Sequence, residues 1–169
     1  MKKQALGILA ALFVFAVLLP LGVRAADDVY AILYDDGTLV FQHGSTPESG
    51  RTVTKIYALD LNKSYQYVAP WHSDGNSVSV RVINFADKIS PISTASWFDS
   101  FYHLTRIDNI ENLDTSRVTD MSSMFDESQE FNQPLEKWNV SRVTDMSSIF
   151  SGAKAFNQPL EAWDVSRVT

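Results

Sequence analysis

The feature that most constrains this chain is a repeat in its C-terminal half. The stretch VTDMSSMFDESQEFNQPLEKWNVSR, Val118 to Arg142, aligns with VTDMSSIFSGAKAFNQPLEAWDVSR, Val143 to Arg167, and 17 of the 25 positions are identical. A divergent copy precedes them, in which Ile110, Leu113, Ser116 and Arg117 stand one repeat ahead of Leu135, Trp138, Ser141 and Arg142. Further upstream the match slips by two, so that Trp97, Phe98 and Leu104 answer Met124, Phe125 and Phe131. The text of the repeat breaks off at Val168-Thr169, two residues into the next unit. A unit this short cannot bury an apolar face alone, so neighbouring units must stack.

The spacing inside a unit sets what is expected of each layer. Met121, Met124 and Phe125 stand at i, i+3 and i+4, one stripe of a short helix, with Asp120 placed to meet the positive end of its dipole. Trp138 and Val140 alternate around Asn139, and Trp163 and Val165 around Asp164, which is the period of a short strand. Phe131, Pro134 and Leu135 supply the return path. A repeat of this length falls in the class of the leucine-rich repeats. The expected fold class is therefore α/β: a leucine-rich-repeat-like solenoid of short parallel strands plus short helices, with a β-rich N-terminal cap. Its units are 93–117 (divergent), 118–142 and 143–167, within a solenoid spanning 93–169. With the last unit uncovered, Trp163 and Val165 are expected to be exposed or disordered unless further sequence follows.

The cap is assigned to residues 27–92. Tyr30, Ile32 and Tyr34 alternate before Asp36-Gly37, and Leu39 and Phe41 follow, which predicts a hairpin with a two-residue turn. A strand is expected around Val53 to Leu59, and another through Val78, Val80 and Val82 after a turn at Asp74-Gly75-Asn76. Loops are expected at 45–50 and 90–94, where Gly, Pro and Ser cluster.

The pattern Phe-Asn-Gln-x-Leu-x-x-Trp-x-Val-Ser-x-Val-Thr-x-Met-Ser-x-Met-Phe resembles the repeat of the BspA-like leucine-rich-repeat surface proteins of bacteria. The resemblance covers roughly Trp97 to Thr169, and Tyr30 to Pro91 resembles the leader that often precedes such repeats. It implies a secreted or wall-displayed protein whose repeats present a binding surface, with adhesion to host proteins or other cells in some members.

Lys2 and Lys3 precede an uncharged stretch from Gln4 to Val23, broken by Pro20 and followed by Ala25 and Ala26. That is the layout of a secretory signal peptide, residues 1–25, cleaved after Ala25. Its removal takes three bases and no acid, leaving 11 Lys+Arg against 20 Asp+Glu and a formal charge of −9. The localisation expected is secreted or cell-surface, with no membrane association after cleavage. The acidic balance argues against a nucleic-acid partner. With no cysteine in the chain, disulfide scaffolds and thiol chemistry are excluded.

Candidate chemistry is sparse. His43, His72 and His103 are widely separated along the chain and read as surface histidines, with no metal site among them. Asp60-Leu61-Asn62-Lys63-Ser64 opens like a calcium loop but has Tyr65 where glycine is needed and Trp71 where the bidentate acid belongs. Nucleophile-elbow, phosphate-loop and dinucleotide motifs are missing, so no catalytic residue and no cofactor are assigned. The repeat creates ladders: Arg117, Arg142 and Arg167; Asp120 and Asp145; Asn132 and Asn157. Opposite charges alternating within and between layers give the first two a structural reading, and the asparagines read as satisfying backbone groups at a bend. The outward positions of the expected strands, Asp114, Asn139 and Asp164, with Lys137 beside them, are the candidate binding residues. The function this supports is a non-enzymatic binding or adhesion protein presenting a repeat face to a host or cell-surface protein or glycan. A structural spacer without binding of its own is the alternative, and a secreted hydrolase with a site in 27–90 a third reading.

Overall fold

The computed structural model describes residues 28–65, 69–72, 75 and 79–169. The expected signal segment 1–25, Val78, and Asp74 and Asn76 of the second expected turn lie outside them. Five strands, β1 (Val29–Tyr34), β2 (Thr38–His43), β3 (Val53–Leu59), β4 (Val82–Phe85) and β5 (Arg106–Asp108), form one mixed sheet in the order β3-β1-β2-β4-β5. Among the described residues no helix is long and apolar enough to cross a membrane.

The hairpin forms where the alternation and the Asp-Gly pair place it. β1 and β2 pair antiparallel from Val29↔His43 to Leu33↔Leu39. Gly37 takes φ +80° in the turn, and the Asp36 carboxylate accepts from the Thr38 N–H at 2.9 Å. β3 pairs antiparallel with β1 on the other side. β1 is buried along its whole length. Val29, Ala31 and Leu33 join the main core, while Tyr30, Ile32 and Tyr34 gather with Val40 in a second cluster on the opposite face. Of the expected strand through Val78, Val80 and Val82, Val80 is buried outside any strand and Val82 is the first residue of β4, which runs on to Phe85.

β4 and β5 lie parallel to β2, in register Thr38↔Val82 and Val82↔Arg106. A parallel neighbour needs a crossover. Here the crossover from β4 to β5 contains the first turn layer, whose Trp97, Phe98, Phe101 and Leu104 are all buried. Phe41 at the centre stacks on Phe85 (centroids 4.9 Å apart) and Trp97 (5.4 Å), and meets Trp71 edge-on at 5.4 Å. The aromatic column continues from Phe98 to Phe125 (5.4 Å) and on to Phe150 (5.7 Å), so sheet and repeats share one core.

The α/β leucine-rich-repeat architecture, with a helix and a strand in every unit, does not form. Met121, Met124 and Phe125 are buried, but in a run of turns. Ser123 and Glu127 have φ of +52° and +54°. The same left-handed positions recur at Ser96 and Ser100 and at Ser148 and Gly152, and a left-handed residue every fourth position stops an α-helix from propagating. Alternate N–H groups then have two destinations. Those of Met124, Asp126 and Ser128 fold back to close turns within the layer, whereas those of Met121, Ser123, Phe125 and Glu127 donate across to the carbonyls of Asp145, Ser147, Ile149 and Ser151 at 2.7–2.9 Å. Thr94, Ser96, Phe98 and Ser100 donate in the same way to Asp120, Ser122, Met124 and Asp126. Parallel bridges at Ser93↔Asp120 and Asp120↔Asp145 carry the register. The first step is longer than the second by two, so the slip seen in the alignment is real in space.

The expected Trp-x-Val strands are also missing. Trp138 N–H folds back to the Leu135 carbonyl and Val143 N–H to Val140, so the chain turns on both sides of Asn139. Layers are joined there through side chains instead: the Trp163 indole donates to the Leu135 carbonyl at 3.0 Å. That contact buries Trp163, contrary to expectation, while Val165 is 51% exposed. His72 is a further correction. It is half-buried, stacked on Phe101 at 5.9 Å, and its Nε2 is enclosed without a partner among the described residues.

Candidate functional site

A cleft of about 720 Å³ opens between the first two units. Two short 3-10 turns shape one wall. Ile110–Asn112 is entered through Asn109 at φ 51°, and is pinned to β4 by the Asn109 amide on Asn84 Oδ1 (2.8 Å) and the Asn112 amide on the Phe85 carbonyl (2.9 Å). Thr115–Arg117 is started by Asp114, whose carboxylate accepts from the Ser116 N–H at 3.0 Å. The opposite wall is Gln133 to Asn139. Gln133 holds it against the sheet: its Oε1 accepts from the Ile107 N–H and its Nε2 donates to the Ile107 carbonyl, so a side-chain amide continues the edge of β5. The floor is Leu113, Leu135 and Trp138, all buried.

The rim is charged with both signs. Lys88 Nζ lies 3.8 Å from Asp114 Oδ2. Glu111, Glu136 and Lys137 are exposed and have no ion-pair partner among the described residues. The Asp114 carboxyl is held below the usual carboxylate range by its bonds to Ser116, against a smaller opposing effect of burial, with Lys88 and then Ser90 adding lesser lowering effects. Trp138 keeps its indole N–H buried without a partner, unlike Trp163 one layer on. An apolar floor with a mixed polar rim suits reversible capture of an amphipathic ligand. Among the described residues no group of three or more His, Asp or Glu is placed to hold a metal ion.

The structure brings Asp114, Lys137 and Asn139 together on this cleft and leaves Asp164 outside it, one layer further along. None of the three Asx residues is idle. Asn139 Oδ1 accepts from the Ser141 N–H (3.1 Å) and hydroxyl (2.8 Å), and Asp164 from the Ser166 N–H at 3.1 Å. Lys88, Glu111, Gln133 and Glu136 are lining residues that strand parity does not single out. A signal for two of them exists, since Glu111, Glu136 and Glu161 form a column with the period of the repeat.

The other ladders are turn and layer devices. Asp120 accepts from the Ser122 N–H (2.9 Å) and hydroxyl (2.7 Å), and Asp145 from the Ser147 N–H (2.8 Å). The bonds to Ser147 hold the Asp145 carboxyl below its ordinary value. Asn132 Oδ1 accepts from the Asn157 N–H and from the Gln158 amide, both at 2.9 Å, so it does satisfy a backbone group, on the next layer. Arg117 donates to the Ser90 carbonyl and to Asn62 Oδ1 at 3.2 Å, while Arg142 and Arg167 are exposed. Among the described residues none of the three arginines lies within ion-pair distance of an acid, so the alternating charge ladder does not form. Each acid is committed to the next serine along the chain.

A second titratable group lies at the start of the layers. Burial lowers the His72 pKa, opposed by the charge of Asp99. Burial raises that of Asp99, opposed by the Ser100 hydroxyl and His72 and reinforced by Asp126 and Glu127.

No curated protein and no solved structure matches the chain. Over residues 94–169, which hold every lining residue of the cleft but Lys88, it matches the family described as Mycoplasma protein of unknown function, DUF285.

Proposed function

We propose that this is a secreted or cell-surface, non-enzymatic interaction protein of the BspA-like kind, which captures a protein or glycan partner in the cleft between its first two units. The observation that carries the reading is the cleft itself: an apolar floor of Leu113, Leu135 and Trp138 under the unpaired charges of Glu111, Glu136 and Lys137. The secretory layout of residues 1–25 supports the address. The test is binding of the intact chain to arrays of glycans and extracellular proteins, repeated with Lys137→Glu and Glu111→Lys. Both side chains are exposed and have no ion-pair partner among the described residues, so the fold should tolerate the changes, and loss of a ligand bound by the parent supports the reading. Ligands that bind parent and double variant alike would remove the cleft from the account. One observation favours a spacer without binding of its own. Asp114, Asn139 and Asp164 all cap serines, which explains their presence without a ligand.

A further inference from the structure

The two joints between successive units treat the same tryptophan differently. Between the second and third units, the Trp163 indole donates to the Leu135 carbonyl at 3.0 Å. Trp138 stands one repeat earlier, where the carbonyl in the matching place belongs to Ile110. Ile110 opens the 3-10 turn entered through left-handed Asn109, and its carbonyl accepts from the Leu113 N–H at 3.2 Å and not from the indole. Trp138 is 7% exposed, and its enclosed Nε1 has no acceptor among the described residues. Both Trp138 and Ile110 line the cleft, so the unmet donor lies at the joint where the cleft opens. A buried donor without an acceptor costs free energy that an incoming acceptor restores.

We infer that the cleft takes a sugar bearing an acetamido group and that Trp138 is the residue that selects it, an inference that rests on the cleft being the binding site. An acetamido group carries an acceptor and a methyl group on one carbon. Its carbonyl answers the indole N–H, and its methyl answers the apolar floor of Leu113 and Leu135. On the exposed rim, Glu111 and Glu136 offer acceptors to the amide N–H and the ring hydroxyls, and Lys137 offers a donor. An extended peptide also carries carbonyls, but it would add as a strand, and the Gln133 amide already closes the edge of β5 at Ile107. The N–H groups of Leu113, Asp114 and Trp138 are likewise spent within the fold, on the carbonyls of Ile110, Ile89 and Leu135. The cleft therefore meets its ligand through side chains, which suits a ring of hydroxyls better than a peptide main chain. Because the donor is enclosed, the ligand parts the two walls to reach it.

The probe is N,N′,N″-triacetylchitotriose, titrated into the full chain while the tryptophan indole N–H resonances are followed by NMR. The Trp138 indole proton should move downfield and that of Trp163 should stay. Cellotriose, the same row of rings without acetamido groups, should bind at least about tenfold more weakly. Trp138→Phe keeps an aromatic ring against Phe125 and removes the donor, so it should weaken the acetylated sugar at least about tenfold, whereas Trp163→Phe should not. Equal affinity for cellotriose overturns the inference, as does a Trp138 resonance that stays in place at saturation, a result that needs no variant. Failure of the acetylated sugar to bind, beside an array ligand that Lys137→Glu abolishes, overturns the sugar class and leaves the cleft as the site. If no array ligand depends on Lys137 or Glu111 either, the reading of the cleft falls as well.

Discussion

The sheet and the turn layers both hold neighbouring chain segments together with main-chain hydrogen bonds, but they differ in where the backbone groups not given to one neighbour go. In the sheet, β1 is bonded on both edges and buried on both faces, so its position is fixed by two ladders and two clusters. In a layer only alternate N–H groups cross to the neighbour, and the rest are used to close turns within it. The layer must therefore get its shape from other sources: left-handed residues at fixed positions, Asx residues that cap serines, and an aromatic column through the middle. Stability in the layers should be local and graded, lower in the third layer, where Phe150 is half-buried, than in the second, where Phe125 is buried.

The largest expected effect tests that grading. Phe125 touches Phe98, Phe131, Trp138 and Phe150, and Phe125→Ala should cost about 3–5 kcal/mol by chemical denaturation, as should Phe41→Ala in the sheet core. Phe150→Ala, at a half-buried site in the last layer, should cost clearly less. Equal losses at Phe125 and Phe150 would mean that the column is not graded.

Glycine replacement separates the two regions next. Left-handed backbone costs an L-residue about 1–2 kcal/mol. At Gly37, in the hairpin, an added Cβ would also meet the Ser79 carbonyl oxygen at 2.6 Å, which backbone cannot relieve. At Gly152 it would meet the Glu127 carboxylate at 2.5 Å, the end of a flexible side chain. Gly37→Ala should therefore destabilise more than Gly152→Ala, and Glu127→Ala should rescue part of the second loss and none of the first. A double-mutant cycle in thermal melts reads this directly.

Asn139→Ala removes the acceptor of the Ser141 cap and should lower stability by about 0.5–1.5 kcal/mol, with Asn139→Asp close to the parent. If Asn139→Ala is neutral, turn capping is not what shapes the layers.

The smallest effects are in pH. Asp114 and Asp145 have carboxyls depressed in the fold, so their contribution is complete above the unfolded value of about 4 and is lost as pH falls through the depressed folded value. Asp145→Asn keeps an acceptor for Ser147 and should flatten that acid limb. His72 acts in a higher window: buried in its neutral form, it binds protons less readily folded than unfolded. Stability should decline as pH drops below about 6.5 and level off below the lowered folded pKa. His72→Gln should remove that step in a pH series of melts.

Much of this was legible where the signal is local. The Asp36-Gly37 turn between alternating runs determines the hairpin, and the self-alignment places Phe98 over Phe125 and Phe125 over Phe150 with the correct slip. The apolar spacing at Met121, Met124 and Phe125 was legible as burial but misleading as helix, because i and i+3 are also the two ends of a single turn, and here Met124 N–H closes such a turn on the Met121 carbonyl. Asp114, Lys137 and Asn139 were legible as outward residues, though parity along a strand is not why they face out. Lys88 was not legible at all: Ile89 bridges Leu113 from the layer before, and that pairing alone sets Lys88 beside Asp114.

By itself the sequence determined the period, the stacking, the hairpin and the burial of the apolar repeat positions Met121, Met124 and Phe125, because each follows from spacing along the chain. The tertiary structure alone decided that the layers are turns and not helices, that their acids cap serines instead of pairing with arginines, and that a cleft opens between the first two units. Those outcomes depend on where alternate N–H groups find acceptors, and the acceptors lie a full repeat away along the chain, on another layer.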